Sequence, residues 1–350
     1  MSDYDYLNAR VRGMSRHLLD RDTFDELLAS STEDVILDVL LESSYGEELR
    51  SVMGSGHKLP VIEDAIRRSL SRTVRHVLSL APERPRALLG IQLNRWDVQN
   101  IITILRGKMR ASTRDEILTS LVPAGQFRLA QLEELSAEDD MLSVADALTT
   151  WNYEFAYPIR RAIRENARTT EPAQLETTLF LEYFQWAFSR LSDKDENEAI
   201  LRNHLRMQAD LMNVMGSLQI VSAHERHVVE QRIERIPGGF LVSRVLDEIE
   251  AQPNVATALE ILEGTYFAPA IERGILVFGQ TNQLSVLERF LETVVMEKGM
   301  KLFRGGPFTV AVPLGYIWRK VNEYINLRLV LRGTVYQMPP NIVREEMFFA

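Results

Sequence analysis

The sequence has no cysteine among its 350 residues. That excludes a disulfide framework, a thiolate nucleophile and a zinc site built from thiolates. Long apolar runs are missing too. The longest stretches free of charge and histidine, Gly274 to Leu287 and Gly305 to Trp318, are 14 residues each. A membrane helix needs roughly 20 apolar residues, and the second stretch also contains Pro307 and Pro313. The opening Met1-Ser2-Asp3-Tyr4 has none of the basic and apolar character of a signal sequence, so a cytoplasmic protein is expected. Positive charge is in deficit: the net charge of −9 argues against nucleic acid as a partner, because such binding rests on Lys and Arg neutralising phosphates. Proline is absent from residues 1–59, 86–122, 173–236 and 270–306, and no Gly/Ser-rich linker interrupts the chain. Long unbroken helices and tightly connected units follow from that.

What is present is a helical motif written three times. It reads NIITILRGK from Asn100 to Lys108, NVMGSLQIV from Asn213 to Val221 and NLRLVLRGT from Asn326 to Thr334. The asparagines are spaced 113 residues apart in both intervals, and the same step carries Asp97 onto Asp210 and Glu323. In the first copy Val98, Ile101, Ile102, Leu105 and Met109 form one apolar stripe of an amphipathic helix. Arg328 breaks that stripe once in the third copy. Turn signals follow at Pro123-Ala124-Gly125 and Pro237-Gly238-Gly239, then LEEL and LDEI, both pairs 114 residues apart.

The expected fold is all-α, with three similar helical domains at 1–127, 128–241 and 242–350. A period this long exceeds the usual solenoid unit, so each copy is read as a small domain. Three such domains in tandem can close into a pseudo-threefold funnel or cup. Their net charges are −1, −7 and −1, so similar folds would show unlike surfaces to their neighbours. Strand-like alternation is scarce, and its best short candidate is Phe308 to Val312, between two prolines.

The repeated helix has a second recurrent face, containing Asp97 and Asn100, Asp210 and Asn213, and Glu323 and Asn326. Two readings stay open for it. The face can line the centre of the cup, or the asparagines can satisfy neighbouring backbone, as buried amides commonly do. Other motifs are weaker. His224-Glu225-Arg226-His227 has the wrong spacing for a zincin helix, and Gly54-Ser55-Gly56-His57-Lys58 lacks the spacing of a phosphate loop. Asp139-Asp140-Met141-Leu142-Ser143 resembles a magnesium-binding aspartate motif with its last acid replaced by Ser143. That cluster and the acids from Asp193 to Glu198 read as helix ends or loops. They also support an alternative, a helical metal-dependent enzyme using acids near Asp139 and Asp193. A generic helical adaptor is the other alternative.

Tyr6-Leu7-Asn8-Ala9-Arg10-Val11-Arg12, the Asp97 to Lys108 helix, and Glu323 to Gly333 followed by Met338-Pro339-Pro340 together resemble the C subunit of bacterial and archaeal V-type (A-type) ATPases, known in eukaryotes as the d subunit. The middle copy departs from the pattern, with Gln219 and Ile220 where the outer copies have Arg and Gly. The resemblance implies a non-catalytic rotor subunit that needs no cofactor or metal. It implies a funnel of three helical domains on the cytoplasmic face of the membrane proteolipid ring. The funnel would receive the central axle subunits, so that ring and axle turn together during proton or sodium transport. One copy per complex, monomeric in isolation, is the expected stoichiometry.

Overall fold

The computed structural model describes residues 3–29, 32–52, 58–166, 172–225 and 233–349. These are helical, with no strand among the described residues. The chain divides into two compact units, residues 1–139 with 300–350, and residues 140–299.

The first unit holds α1 (Asp5–Met14), α2 (Arg21–Ala29), α3 (Glu33–Glu42), α4 (Gly46–Val52), α5 (Lys58–Leu80), α6 (Glu83–Met109), α7 (Arg114–Ser120) and α8 (Leu129–Ala137). The second holds α9 (Met141–Thr150), α10 (Ala156–Asn166), α11 (Pro172–Ser189), α12 (Glu196–Glu225), α13 (Ser243–Glu250), α14 (Val255–Leu262), α15 (Ala268–Thr281) and most of α16 (Leu284–Lys301). The chain then returns to the first unit as α17 (Ala311–Val335) and α18 (Pro340–Glu346).

The repeated motif occupies the three long helices α6, α12 and α17, of 27, 30 and 25 residues. The single-stripe expectation fails in an informative way. The stripe residues Val98, Ile101, Ile102 and Leu105 are buried, but so are Leu89, Leu93, Asp97, Asn100 and Ile104 on other faces of α6. A helix covered on all sides is a core helix, not a surface one. Around α12, Leu211, Val214, Leu218 and Val221 pack with Leu246 and Ile249 of α13, Leu259 of α14, Ile271 of α15 and Leu291 of α16. In the first unit α17 lies against α5, α1 and the turn Leu302–Arg304. Trp318 of α17 meets Trp96 of α6 with ring centroids 5.5 Å apart.

Local signals explain where helices start and stop. Thr113 and Glu116 form a reciprocal capping box on α7. Asp140 caps α9 by accepting from the Ser143 amide, and Asn254 caps α14 by accepting from Thr257. After α6 and α17 the chain turns through left-handed residues, Ala111 at φ 53 and Gln337 at φ 51. The amides of Ser112 and Met338 then reach back to the carbonyls of Gly107 and Gly333 at 2.9 and 2.8 Å. Phe308 to Val312, the strand candidate, is a turn that runs into the first residues of α17. Its surroundings are set by Asn8 of α1, whose amide donates to the carbonyls of Pro307 and Thr309 at 2.7 and 3.0 Å.

Candidate functional site

All six residues of the recurrent polar face are buried, with Asp97 and Asp210 at 0% exposure and Asn213 the highest at 7%. Side chains this deep present no lining to an open cup. They hold backbone instead. Asn100 donates to the Val122 carbonyl at 2.8 Å and accepts from its amide at 2.9 Å. Asn213 makes the same pair with Ile236, both at 2.8 Å. Asn326 does so with Phe348, at 2.8 and 3.2 Å. Each carboxamide thus bonds both the N–H and the C=O of one residue in the extended strap that follows its helix. The Val122 carbonyl also accepts from the Ala124 amide at 2.7 Å, and the Phe348 carbonyl from Asn322 at 2.9 Å.

The acids fasten a second point. Asp97 accepts from the amides of Gln126 and Phe127 at 2.7 and 3.1 Å. Asp210 accepts from Phe240 and Leu241 at 2.8 and 3.1 Å, and from the Tyr266 hydroxyl at 2.8 Å. Glu323 holds a segment from the other end of the sequence. It accepts from the Leu19 amide at 2.6 Å, and from the Tyr45 hydroxyl and the Lys320 ammonium at 2.5 Å each. Phe127, Leu241 and Leu19 each stand two residues before a helix, namely α8, α13 and α2. The three acids therefore hold the entries of three corresponding helices, and the last acid holds the first entry.

The straps come so close that two glycines are obligatory. A Cβ on Gly125 would lie 1.9 Å from Asp97 Oδ1, and one on Gly239 would lie 2.0 Å from Asp210 Oδ1. Sequence reasoning took both as turn residues. Their need for space, not for unusual backbone angles, is what the carboxylates impose.

Electrostatics follow burial. Burial pushes the Asp97 carboxyl up to about 7 from its ordinary 3.8, against the two backbone amides that pull it down. The Asp210 carboxyl is also raised by burial, opposed by its bonds from Tyr266, Leu241 and Phe240. Burial and then the Glu323 carboxylate hold the Tyr45 hydroxyl well above its usual range. Lys320, at 3% exposure, sits 4.2 Å from the Tyr45 ring centroid and completes a buried Lys–Tyr–Glu triad that sequence reasoning missed. A lysine one turn before a glutamate is the available signal, but Tyr45 is 275 residues away from Lys320.

The acids of the enzyme alternative have structural duties. Asp140 is the cap of α9, Asp195 accepts from the amides of Asn197 and Glu198 at 3.0 Å, and Asp193 lies 3.4 Å from Arg202. No group of three or more His, Asp or Glu side chains is placed to hold a metal among the described residues. Gly54 to His57, and Arg226 and His227 of the histidine pair, lie outside the described residues. No described helix is long and apolar enough to cross a membrane.

Comparison with known proteins bears on the family. A family model described as ATP synthase (C/AC39) subunit matches residues 7–346. The C subunit of the A-type ATP synthase of Methanocaldococcus jannaschii is 23% identical over 348 residues, covering 98% of this chain and 86% of that protein. The C subunit of the V-type ATP synthase of Deinococcus radiodurans is 26% identical, with 99% and 91% covered. The A-type C subunit of Thermococcus onnurineus is 28% identical, with 98% and 89% covered. The chain belongs to the ATP synthase (C/AC39) subunit family.

Proposed function

We propose that this chain is the non-catalytic central-stalk subunit of a V-type or A-type rotary ATPase, coupling the axle to the proteolipid ring on the cytoplasmic face of the membrane. The body is read as three helical domains, 1–127, 128–241 and 242–350, around a pseudo-threefold axis, forming a funnel. The observation that carries this reading is the cyclic order of the buried acids. Asp97 fastens the strap entering α8, Asp210 the strap entering α13, and Glu323 the strap entering α2. A linear array would leave its last fastener unused, whereas a closed one returns it to the start.

A torque coupler needs a stiff frame, and the six buried residues are proposed to supply that stiffness, not to touch axle or ring. The partner surfaces are elsewhere on the funnel. The chain's lack of cysteine supplies the test, because single cysteines introduced at exposed positions are unique cross-linking sites. A covalent bond from this chain to an axle subunit is expected to leave ATP hydrolysis and ion pumping intact, since the two turn together. Arrest of turnover by that same bond would overturn the rotor assignment.

A further inference from the structure

The first unit contains a cavity of about 320 Å³ whose lining includes none of the six residues of the recurrent polar face. Two helices build most of its wall. From α5 come Ser69, Arg72, Thr73 and His76, spaced at i, i+3, i+4 and i+7, and from α17 come Tyr316 and Lys320. Arg72 and His76 are exposed, whereas Ser69, Tyr316 and Lys320 are buried.

The cavity's buried hydroxyls also lack protein partners among the described residues. Tyr316 and Ser69 are 3% and 4% exposed, yet neither hydroxyl bonds to any other described residue. The Thr73 hydroxyl is likewise free of a partner among the described residues. Lys320 uses two of its three N–H bonds, on Tyr45 and Glu323. Arg72 faces the cavity while paired with Glu47 and Glu48. The cations are thus already neutralised, and dense hydrogen-bond donors, not excess charge, define the site. Hydroxyls that open onto the cavity without a protein partner are available to a polar occupant, water or ligand. The volume is in the range of a small-molecule site.

We propose that this cavity binds a small tetrahedral oxyanion of the phosphate type, either as free inorganic phosphate or as the headgroup of a phosphate monoester lipid. Tyr316, Thr73, Ser69 and the third Lys320 proton donate to its oxygens. Calorimetric titration of the full-length chain with inorganic phosphate, ionic strength held constant with chloride, tests this. Saturable binding is expected, with a phosphate-dependent rise in melting temperature. Tyr316→Phe and Thr73→Val, which keep the ring and the volume, should each weaken binding by about ten-fold while the circular dichroism stays unchanged. A parallel titration with sn-glycerol 3-phosphate assigns the source: tighter binding than phosphate points to the lipid headgroup, weaker binding to the free ion. Phosphate acting no differently from chloride would overturn the proposal, and the cavity would then hold water alone. Variants that bind as tightly as the parent would overturn it equally.

Discussion

Replacing Gly125 by alanine tests the fastening geometry at its tightest point. The new Cβ would meet Asp97 Oδ1 at 1.9 Å and Cγ at 2.4 Å. Real contacts of this kind need about 3 Å or more, so the strap must retreat by about 1 Å. The retreat stretches the bonds from Gln126 and Phe127, now 2.7 and 3.1 Å, beyond useful length. Overpacking at about 1–3 kcal/mol, together with partial loss of two buried bonds, gives a destabilisation of about 2–5 kcal/mol. Gly125 has no positive φ, so backbone preference adds nothing to that figure. Urea unfolding reads the loss, and hydrogen exchange of residues 121–128 locates it. A double-mutant cycle isolates its cause. With Asp97→Ala already in place the clashing atoms are gone, so adding Gly125→Ala should cost less than ~1 kcal/mol more. An undiminished cost in that background would refute the reasoning.

Asn213→Ala should destabilise the second unit by about 2–4 kcal/mol, because it orphans both backbone groups of Ile236, whereas the exposed Gln219→Ala should change stability by less than ~0.5 kcal/mol in the same urea melts. The raised Asp97 carboxyl makes a pH prediction. Its folded value of about 7 lies above the ordinary 3.8, so the stability it contributes is full below about pH 4 and is lost as pH rises through 7. A rise from 3.8 to about 7 corresponds to about 4 kcal/mol, so the stability of the parent minus that of Asp97→Asn, followed by urea midpoint, should fall by about that amount between pH 4 and 8. Tyr45→Phe should cost about 1–3 kcal/mol, measured by urea unfolding, since it removes the hydroxyl joining Lys320 to Glu323 in a buried site.

The all-helical class and the recurrence were legible because they rest on spacing, and spacing survives in a sequence. The stripe of Val98, Ile101, Ile102 and Leu105 was legible for the same reason. The second face was legible as a recurrence, and of its two readings the backbone-satisfying one is what Asn100, Asn213 and Asn326 do. Which backbone they hold was not legible, since an asparagine bound to backbone leaves no complementary side chain to find. One trace did exist: Val122 and Ile236 each precede a proline, which favours extended backbone and leaves N–H and C=O free for a carboxamide. Glu323 was harder still. Its partner Leu19 is 304 residues distant, and nothing local marks that pairing. The strand-like alternation of Phe308 to Val312 misled because the Asn8 bonds to Pro307 and Thr309 hold it as a turn before α17. The acids near Asp139 and Asp193 were legible as helix ends, and Asp140 and Asp195 act as such.

The central claim is that this chain joins axle and ring within a rotary ATPase. It is tested most directly by purifying the tagged chain from detergent-solubilised membranes of its host and identifying the co-purifying proteins by mass spectrometry. The account predicts recovery of proteolipid and axle subunits together, with ATPase activity in the same fraction. Recovery of the chain alone from the soluble fraction, with neither partner in the detergent extract, would contradict it.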